Sequence, residues 1–498
     1  MRYDDRFRRM MSSRFGAWRN PLRAHALMPV APWARHAFAA IVLMTAFAAC
    51  AWLLGRDLFF HADDWDWLAR AHFYQGSDQA GLLPQKPYND RPVGAFLIRM
   101  GYDAFGLSPQ AFHAAAVVLH AFNALLAFAL ALRVLPAHRA LIAGVLSAAW
   151  FAANNAVGWT AAVFDLAGAT FCLATVFLYG LEGKRQWAWR LAAIACHVLA
   201  IRTKEFGLGL LLALFAWEMF VADTPNWRRL LPHVLVTLVY ATAYALLFVD
   251  APMRGGPYQP DVSLPALLES LWAYVRMLGN GHLWTALTLA GVCVTHVVTR
   301  NRVGLFGMAA AIAVLAAVLP LSIHRDALYL YSTHFFAAIS IAALGFGRPG
   351  SILAAVLAVV LIATPLVDGT RARAQRDARM QGRYAMALHA DFRQWAAQRD
   401  TVRGVVVHVT QPGLSPFLQG HARLTRFNPL LLGPGDAIKI MLSNPHAVVK
   451  VPASLEEAVT DCRELRLPLL VERNRRLVDA TQESSCMHGP EGENKQDL

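Results

Sequence analysis

The chain has 498 residues, 56% of them hydrophobic and only 16% charged, where a soluble protein carries about 25%. This composition excludes one large soluble globule and describes a polytopic membrane protein. The net charge of +13 does not point to nucleic acid, because its distribution has a membrane explanation.

Residues 1–35 carry eight arginines against two aspartates. A basic segment ahead of the first apolar run is a positive-inside signal and puts the N-terminus in the cytoplasm. The apolar run is a full span without a small-residue cleavage site, which argues against a targeting peptide. About eleven apolar stretches approach the roughly 20 residues needed to cross a bilayer. They lie near 36–55, 110–133, 137–153, 161–181, 187–203, 205–222, 230–249, 282–299, 303–323, 327–347 and 350–367. Inner loops then hold Arg133 and Arg139, Lys184, Arg185 and Arg190, Arg228 and Arg229, Arg300 and Arg302, and Arg348. The outer loop 56–92 has six aspartates against four basic residues. An odd number of spans places the C-terminus outside. The expected fold is an α-helical polytopic membrane protein with a small extracytoplasmic α/β domain at its C-terminus.

The first outer loop, 56–109, opens with His61-Ala62-Asp63-Asp64-Trp65-Asp66-Trp67. A charge at a membrane edge is costly unless it has a partner or a task. A Pro/Gly/Asn-rich stretch follows, and then Val93, Phe96, Leu97, Met100 and Phe105 recur at near-helical spacing, as in a helix lying on the membrane surface. The second outer loop, 250–281, begins with a turn-rich segment around Arg254 and becomes helical from Leu264 to Leu278. A short outer turn at 320–329 holds His324, Arg325 and Asp326.

The composition changes near residue 368. Residues 371–403 read as a charged helix, 404–409 as a strand, 447–451 and 467–472 as two more, and Leu455 to Leu465 as a helix. The organisation expected is a basic N-terminus (1–35), a transmembrane domain (36–367), a periplasmic α/β domain (368–480) and a polar, disordered tail (481–498). Cys50, Cys172, Cys196 and Cys293 read as apolar fillers within spans. Cys462 and Cys486 lie in the outer tail, where a disulfide fits an oxidising compartment.

Asp63 and Asp64 are adjacent, so their side chains diverge in any regular structure. This suits one catalytic carboxylate, a general base on an acceptor hydroxyl, and one that orients or binds. Trp65 and Trp67 read as interfacial anchors. A polyprenyl-phosphate donor leaves a phosphate behind, whose developing charge needs Arg or Lys near the headgroup plane. Arg91, Arg202, Lys204, Arg254 and Arg325 are placed for it. Arg202-Thr203-Lys204-Glu205 stands where the chain turns outside, against the positive-inside trend. The bland alternative there is snorkelling with Lys204 and Glu205 paired. Asp165, near the outer end of the fourth span, is either functional or a helix-start residue. His113 and His120 share one face of the second span and read as hydrogen bonders between helices.

The pattern resembles the GT-C membrane glycosyltransferases that use polyprenyl-phosphate sugars, in particular the branch of the protein O-mannosyltransferases and related bacterial envelope enzymes. The motifs are Asp63-Asp64 after the first span, Arg91-Pro92 before an apolar helix, Phe105-Gly106-Leu107-Ser108-Pro109 ahead of a His-bearing span, Val157-Gly158-Trp159 with Asp165, Lys204-Glu205, and Leu328-Tyr329-Leu330. The resemblance covers roughly residues 36–346. It implies that Asp63 is the base and that transfer inverts the anomeric centre. The chain departs from it at Asn154-Asn155, where close relatives carry His-Pro and Glu, and at His324-Arg325-Asp326, whose register is inexact.

The expected function is therefore inverting transfer of a sugar from a polyprenyl-phosphate carrier to an envelope glycan, lipid or protein, on the outer face of a bacterial inner membrane. Asp63 and Asp64 are the catalytic candidates. Arg91, Lys204 and Arg325 are the candidates for donor phosphate, and Asp165, Glu205 and His324 are further cavity residues. No spacing demands a metal, although Asp63, Asp64 and Asp66 could share a divalent cation with a phosphate. The competing readings are a lipid-linked glycan polymerase or ligase, a transporter and a non-catalytic scaffold. The near absence of mid-span charge and of internal repeats speaks against transport.

Overall fold

A computed structural model of the chain describes residues 37–45, 47, 58–61, 63–73, 83–85, 90–151, 154–249, 259–345, 347–399, 401–409, 435–452, 454–484 and 486. Most of the proposed first span, the 250–257 turn with Arg254, and the end of the polar tail lie outside these residues.

The chain is mostly helical, with one small sheet. After a helical stretch at 37–45 come α1 (Asp63–Phe73) and α2 (Pro92–Phe105). There follow α3 (Pro109–Leu132), α4 (Ala137–Ala149), α5 (Val163–Tyr179), α6 (Gln186–Thr203), α7 (Leu210–Phe220) and α8 (Leu231–Val249). The next set is α9 (Leu264–Leu278), α10 (Leu283–Val298), α11 (Arg302–Leu315), α12 (Leu330–Ala342) and α13 (Gly347–Val367). Among the described residues, four helices are long and apolar enough to cross a membrane: Pro109–Leu132, Thr160–Tyr179, Trp227–Leu247 and Gly347–Val367. The number becomes five if α9 and α10, bent by 110° at their junction, are one broken span. Eleven full-length spans are therefore not what the described residues show. Apolar stretches at 137–153, 303–323 and 327–347 form shorter helices, Ala137–Ala149, Arg302–Leu315 and Ala327–Ala342.

Small residues let these helices pack closely. Ala124, Ala127, Ala131, Ala143, Ala169, Ala213, Ala310 and Ala313 form a core with Phe128, Phe306, Phe335 and Phe336. Polar side chains in the bundle are spent on contacts between helices. His113 Nδ1 lies 3.1 Å from the Val157 carbonyl oxygen, His120 Nδ1 lies 2.9 Å from the Tyr331 hydroxyl, and Asn123 donates to the Leu166 carbonyl. The two span histidines thus act as the hydrogen bonders the sequence suggested. In α2, Phe96, Met100 and Phe105 are exposed while Gly94 and Ile98 are buried, so the helix keeps one apolar face outward.

After α13 comes α14 (Thr370–Ala397), then β1 (Gly404–His408), α15 (Asp436–Met441), β2 (Val448–Lys450), α16 (Leu455–Leu465), β3 (Leu469–Arg473) and β4 (Arg476–Asp479). The sheet order is β2-β1-β3-β4, with β1 parallel to both neighbours and β3 antiparallel to β4. The central strand Gly-Val-Val-Val-His is buried along its whole length, as a parallel strand covered on both faces must be. Ser454 caps α16, its hydroxyl accepting from the Glu457 amide at 3.1 Å, in a Ser-x-x-Glu start. The fourth strand was not anticipated from the sequence. Its hairpin turns on Asn474 and Arg475, both at positive φ (53° and 63°), the geometry of a two-residue turn that matches strand twist. Cys462 and Cys486 form a disulfide, and the Thr481 hydroxyl accepts from the Leu469 amide.

Candidate active site

The three aspartates of α1 occupy its first turn, where the helix dipole favours negative charge. Their fates differ. Asp64 is buried at 1% exposure. Its carboxyl group accepts from the Ala161 amide at 2.5 Å and the His61 amide at 2.9 Å. Burial pushes the Asp64 carboxyl up to about 8, against the pull of those donors. Asp63 is exposed. Asp66 pairs with Arg70 one turn on, at 2.9 Å. The adjacent acids therefore diverge, one anchoring the loop to the bundle and the other facing out.

Trp65 and Trp67 are not interfacial anchors. They are 1% and 5% exposed and lie in an apolar cluster with residues of α14, β1 and α15. Trp67 packs on Phe164 at 4.5 Å between ring centroids. Phe164 also meets the Arg91 guanidinium, 5.7 Å from its ring centre. One phenyl ring thus joins the acid-bearing helix to the basic cluster, and the next residue is Asp165.

Three ion pairs make up that cluster. Arg91, at the start of α2, donates from Nε and Nη2 to the two carboxylate oxygens of Glu205, both at 3.0 Å. Lys204 Nζ donates to both oxygens of Asp165 at 2.6 Å. Arg202 Nη2 donates to Asp90 at 3.1 Å. Lys204 and Glu205 are therefore not paired with each other. The Lys204 ammonium also stands 5.2 Å from the centre of the Tyr329 ring. The turn carrying Lys204 and Glu205 is pressed against two helices. A Cβ on Gly207 would come within 2.5 Å of the Ile201 amide nitrogen, and one on Gly209 would collide with the Ala313 carbonyl. Only glycine admits that approach.

Accessibility separates the pairs. Arg91 and Glu205 keep 22% and 32% of their side-chain surface, whereas Lys204 and Asp165 keep 6% and 2%. Arg202 is buried as well. Arg91 is thus the cation of the cluster most open to an incoming anion, and Lys204 is more deeply buried. Arg325 is engaged elsewhere, donating to Glu269 at 2.8 Å and to Ser270 at 3.3 Å, both on α9. His324 is buried with its ring edge-on to Tyr329 at 5.8 Å. The sequence reading brought Arg91, Asp165, Lys204 and Glu205 forward, and the fold joins them. It named Trp159 only as part of a motif and passed over Asp90, whose partner Arg202 lies 112 residues along the chain. Among the described residues, no group of three His, Cys, Asp or Glu side chains is arranged to hold a metal ion.

Fold and site together define a polytopic helical protein with a small α/β unit seated on an acid-bearing helix. No family description matches the chain, and no curated protein does. Solved structures are similar to it. ArnT from Cupriavidus metallidurans in the apo state is 17% identical with a TM-score of 0.48, covering 88% of this chain and 94% of that one. The same protein bound to undecaprenyl phosphate is 16% identical at 0.46, covering 87% and 93%. The oligosaccharyltransferase from Archaeoglobus fulgidus in the apo form is 11% identical at 0.43, covering 85% and 66%. At such scores these likenesses carry no weight for function, which is read from the side chains of this chain.

Proposed function

We propose that this protein is an inverting membrane glycosyltransferase of the GT-C kind. It moves a sugar from a polyprenyl-phosphate carrier to an envelope glycan, lipid or protein on the outer face of the inner membrane. In this reading the N-terminus is cytoplasmic and the α/β domain periplasmic. The acceptor hydroxyl attacks the anomeric carbon from the face opposite the phosphate. The new oxygen–carbon bond forms as the bond to the phosphate oxygen breaks. The hydroxyl proton passes to Asp63, and the carrier leaves as a phosphate monoester. Asp64 holds the turn that presents Asp63. Arg91 meets the phosphate by exchanging its bidentate partner Glu205 for a ligand with the same fork geometry. Lys204, held by Asp165, supplies a second, more deeply buried positive charge, and Arg325 with His324 closes the cavity from the 320–329 turn.

The observation that carries this reading is the junction at Phe164, which sets an exposed carboxylate helix against a half-open arginine at the mouth of apolar helices. The test is sugar transfer from radiolabelled polyprenyl-phosphate sugars, using membranes that hold wild type or Asp63→Asn with crude envelope acceptors. Transfer by wild type and its loss in the variant, at equal protein level, are expected. Equal transfer by both would remove Asp63 as the base.

A further inference from the structure

The C-terminal unit has a core of its own on one face of its sheet and shares the core on the other. Its sheet has two faces. On one, Val406, Leu469 and Val471 pack with Ala458 and Cys462 of α16 and with Cys486. On the other, Val405, Val407 and Leu470 form one cluster with Leu388 and Phe392 of α14 and Ile438 of α15. The same cluster contains Phe60, Trp65, Trp67 and Leu68. Residues more than 300 positions upstream thus complete the second face. Such a layer must be buried on both sides to be stable, so the acid-bearing helix is a structural part of the C-terminal unit.

His389 is the most specific contact between the two. It is 3% exposed. Its ring stacks on Trp65 at 4.8 Å and 15° between planes, and Phe59 meets it edge-on at 4.9 Å. Trp65 stands two residues from Asp63. Helix α15 packs on the same stretch, bringing Asp436 within the electrostatic reach of Asp66 and Arg70. On the bundle side, the Ala161 amide holds Asp64. The first turn of α1 is therefore gripped from both sides, by the bundle through Asp64 and by the C-terminal unit through Trp65.

We propose that the C-terminal unit is the seat of the acid-bearing helix and that His389 is a positioning residue, setting the place of Asp63 through its stack on Trp65. The proposal deepens the transferase reading and rests on Asp63 being the base. It predicts a loss in the chemical step without a loss of donor binding, because the Arg91 and Lys204 pairs lie on other elements.

The test uses the full-length protein in lipid nanodiscs with His389→Ala, His389→Phe and His389→Gln. Two quantities are read: amide hydrogen exchange across residues 63–73, and kcat and KM for the donor. His389→Ala should speed exchange in α1 and lower kcat on the order of 10- to 100-fold, since a small misplacement of a reacting group costs that much. The donor KM should hold. His389→Phe, which keeps a ring for Trp65, should restore both quantities, and His389→Gln should restore neither. Unchanged exchange in His389→Ala, or rescue by Gln and not by Phe, would overturn the proposal. Should His389→Ala not fold, Ile438→Ala approaches the same helix from α15 and should speed the same exchange. If wild type transfers no sugar, the transferase reading fails, while the exchange measurement still decides whether the C-terminal unit seats the helix.

Discussion

Lys204 and Asp165 close on each other, the ammonium nitrogen 2.6 Å from both carboxylate oxygens and both side chains buried. Taking two charges out of water is costly, and the pair recovers that cost only while both members are present. Lys204→Ala should therefore destabilise the protein by about 3–5 kcal/mol, because it strands Asp165. The double variant Lys204→Met, Asp165→Leu should recover most of that loss. Thermal unfolding in detergent separates the two. If Lys204 also meets the donor phosphate, the double variant will regain stability without regaining transfer. A double variant as unstable as the single one would show that the pair is not the source of the effect.

Arg91 tests the forked geometry rather than the charge. Lysine in its place keeps the charge but cannot bond both oxygens of one partner in a plane. Arg91→Lys should raise the donor KM about tenfold, the equivalent of about 1.4 kcal/mol, with stability nearly unchanged because the pair with Glu205 is part-exposed. Titration of transfer against donor concentration checks this. A variant with the wild-type KM would show that Arg91 serves only to hold Glu205.

The elements of this fold were legible wherever a local pattern dictates them. Long apolar runs gave helices, the Val405-Val406-Val407 run gave the central strand, and the segment from Leu455 to Leu465 gave α16. The span count was not legible in the same way, because an apolar run does not reveal where it breaks. Residues 303–323 become a helix that stops at Leu315. Strand β4 was missed because its hairpin uses Asn-Arg, not the Asn-Gly that usually marks such a turn.

The site was legible by residue and not by partner. Arg91, Asp165, Lys204 and Glu205 each stood out as charges at the edge of apolar runs. That Lys204 would choose Asp165 over the adjacent Glu205 depends on helix packing 39 residues away in sequence. The Arg91–Glu205 pair spans 114 residues. The tryptophans misled for a similar reason. A Trp after a membrane span reads as an interfacial anchor, and nothing local announces that a helix more than 300 residues later will cover it.

The disulfide gives a prediction about the C-terminal unit. Cys462 and Cys486 are 24 residues apart, and closing a loop of that size restricts the unfolded chain by about 3.5 kcal/mol. Cys462→Ser should lower the unfolding midpoint of this unit, and dithiothreitol should do the same to wild type but not to the variant. Exchange of Leu469 and Val471, which share the buried face with both cysteines, should rise with it. A reducing agent that acts equally on both proteins would mean that the bond contributes nothing in solution.

Asp64 gives a dependence on pH whose direction can be worked out. Burial raises its carboxyl from 3.8 to about 8, the His61 and Ala161 amides and the Trp159 side chain opposing the rise and Asp63 adding to it. The folded protein therefore keeps a proton that the unfolded chain loses near pH 4. This contribution is fully present below that value and is lost as pH rises towards 8. The slope is at most about 1.4 kcal/mol per pH unit. Asp64→Asn cannot titrate, so its stability should fall less steeply between pH 5 and 8. It should be lower at pH 5 by about 1–3 kcal/mol, since an amide cannot accept from both backbone donors. Other carboxylates titrate in both proteins, so the difference between the two unfolding curves isolates Asp64. Parallel curves across that range would mean that Asp64 is already ionised in the fold, held by its amide donors in spite of burial.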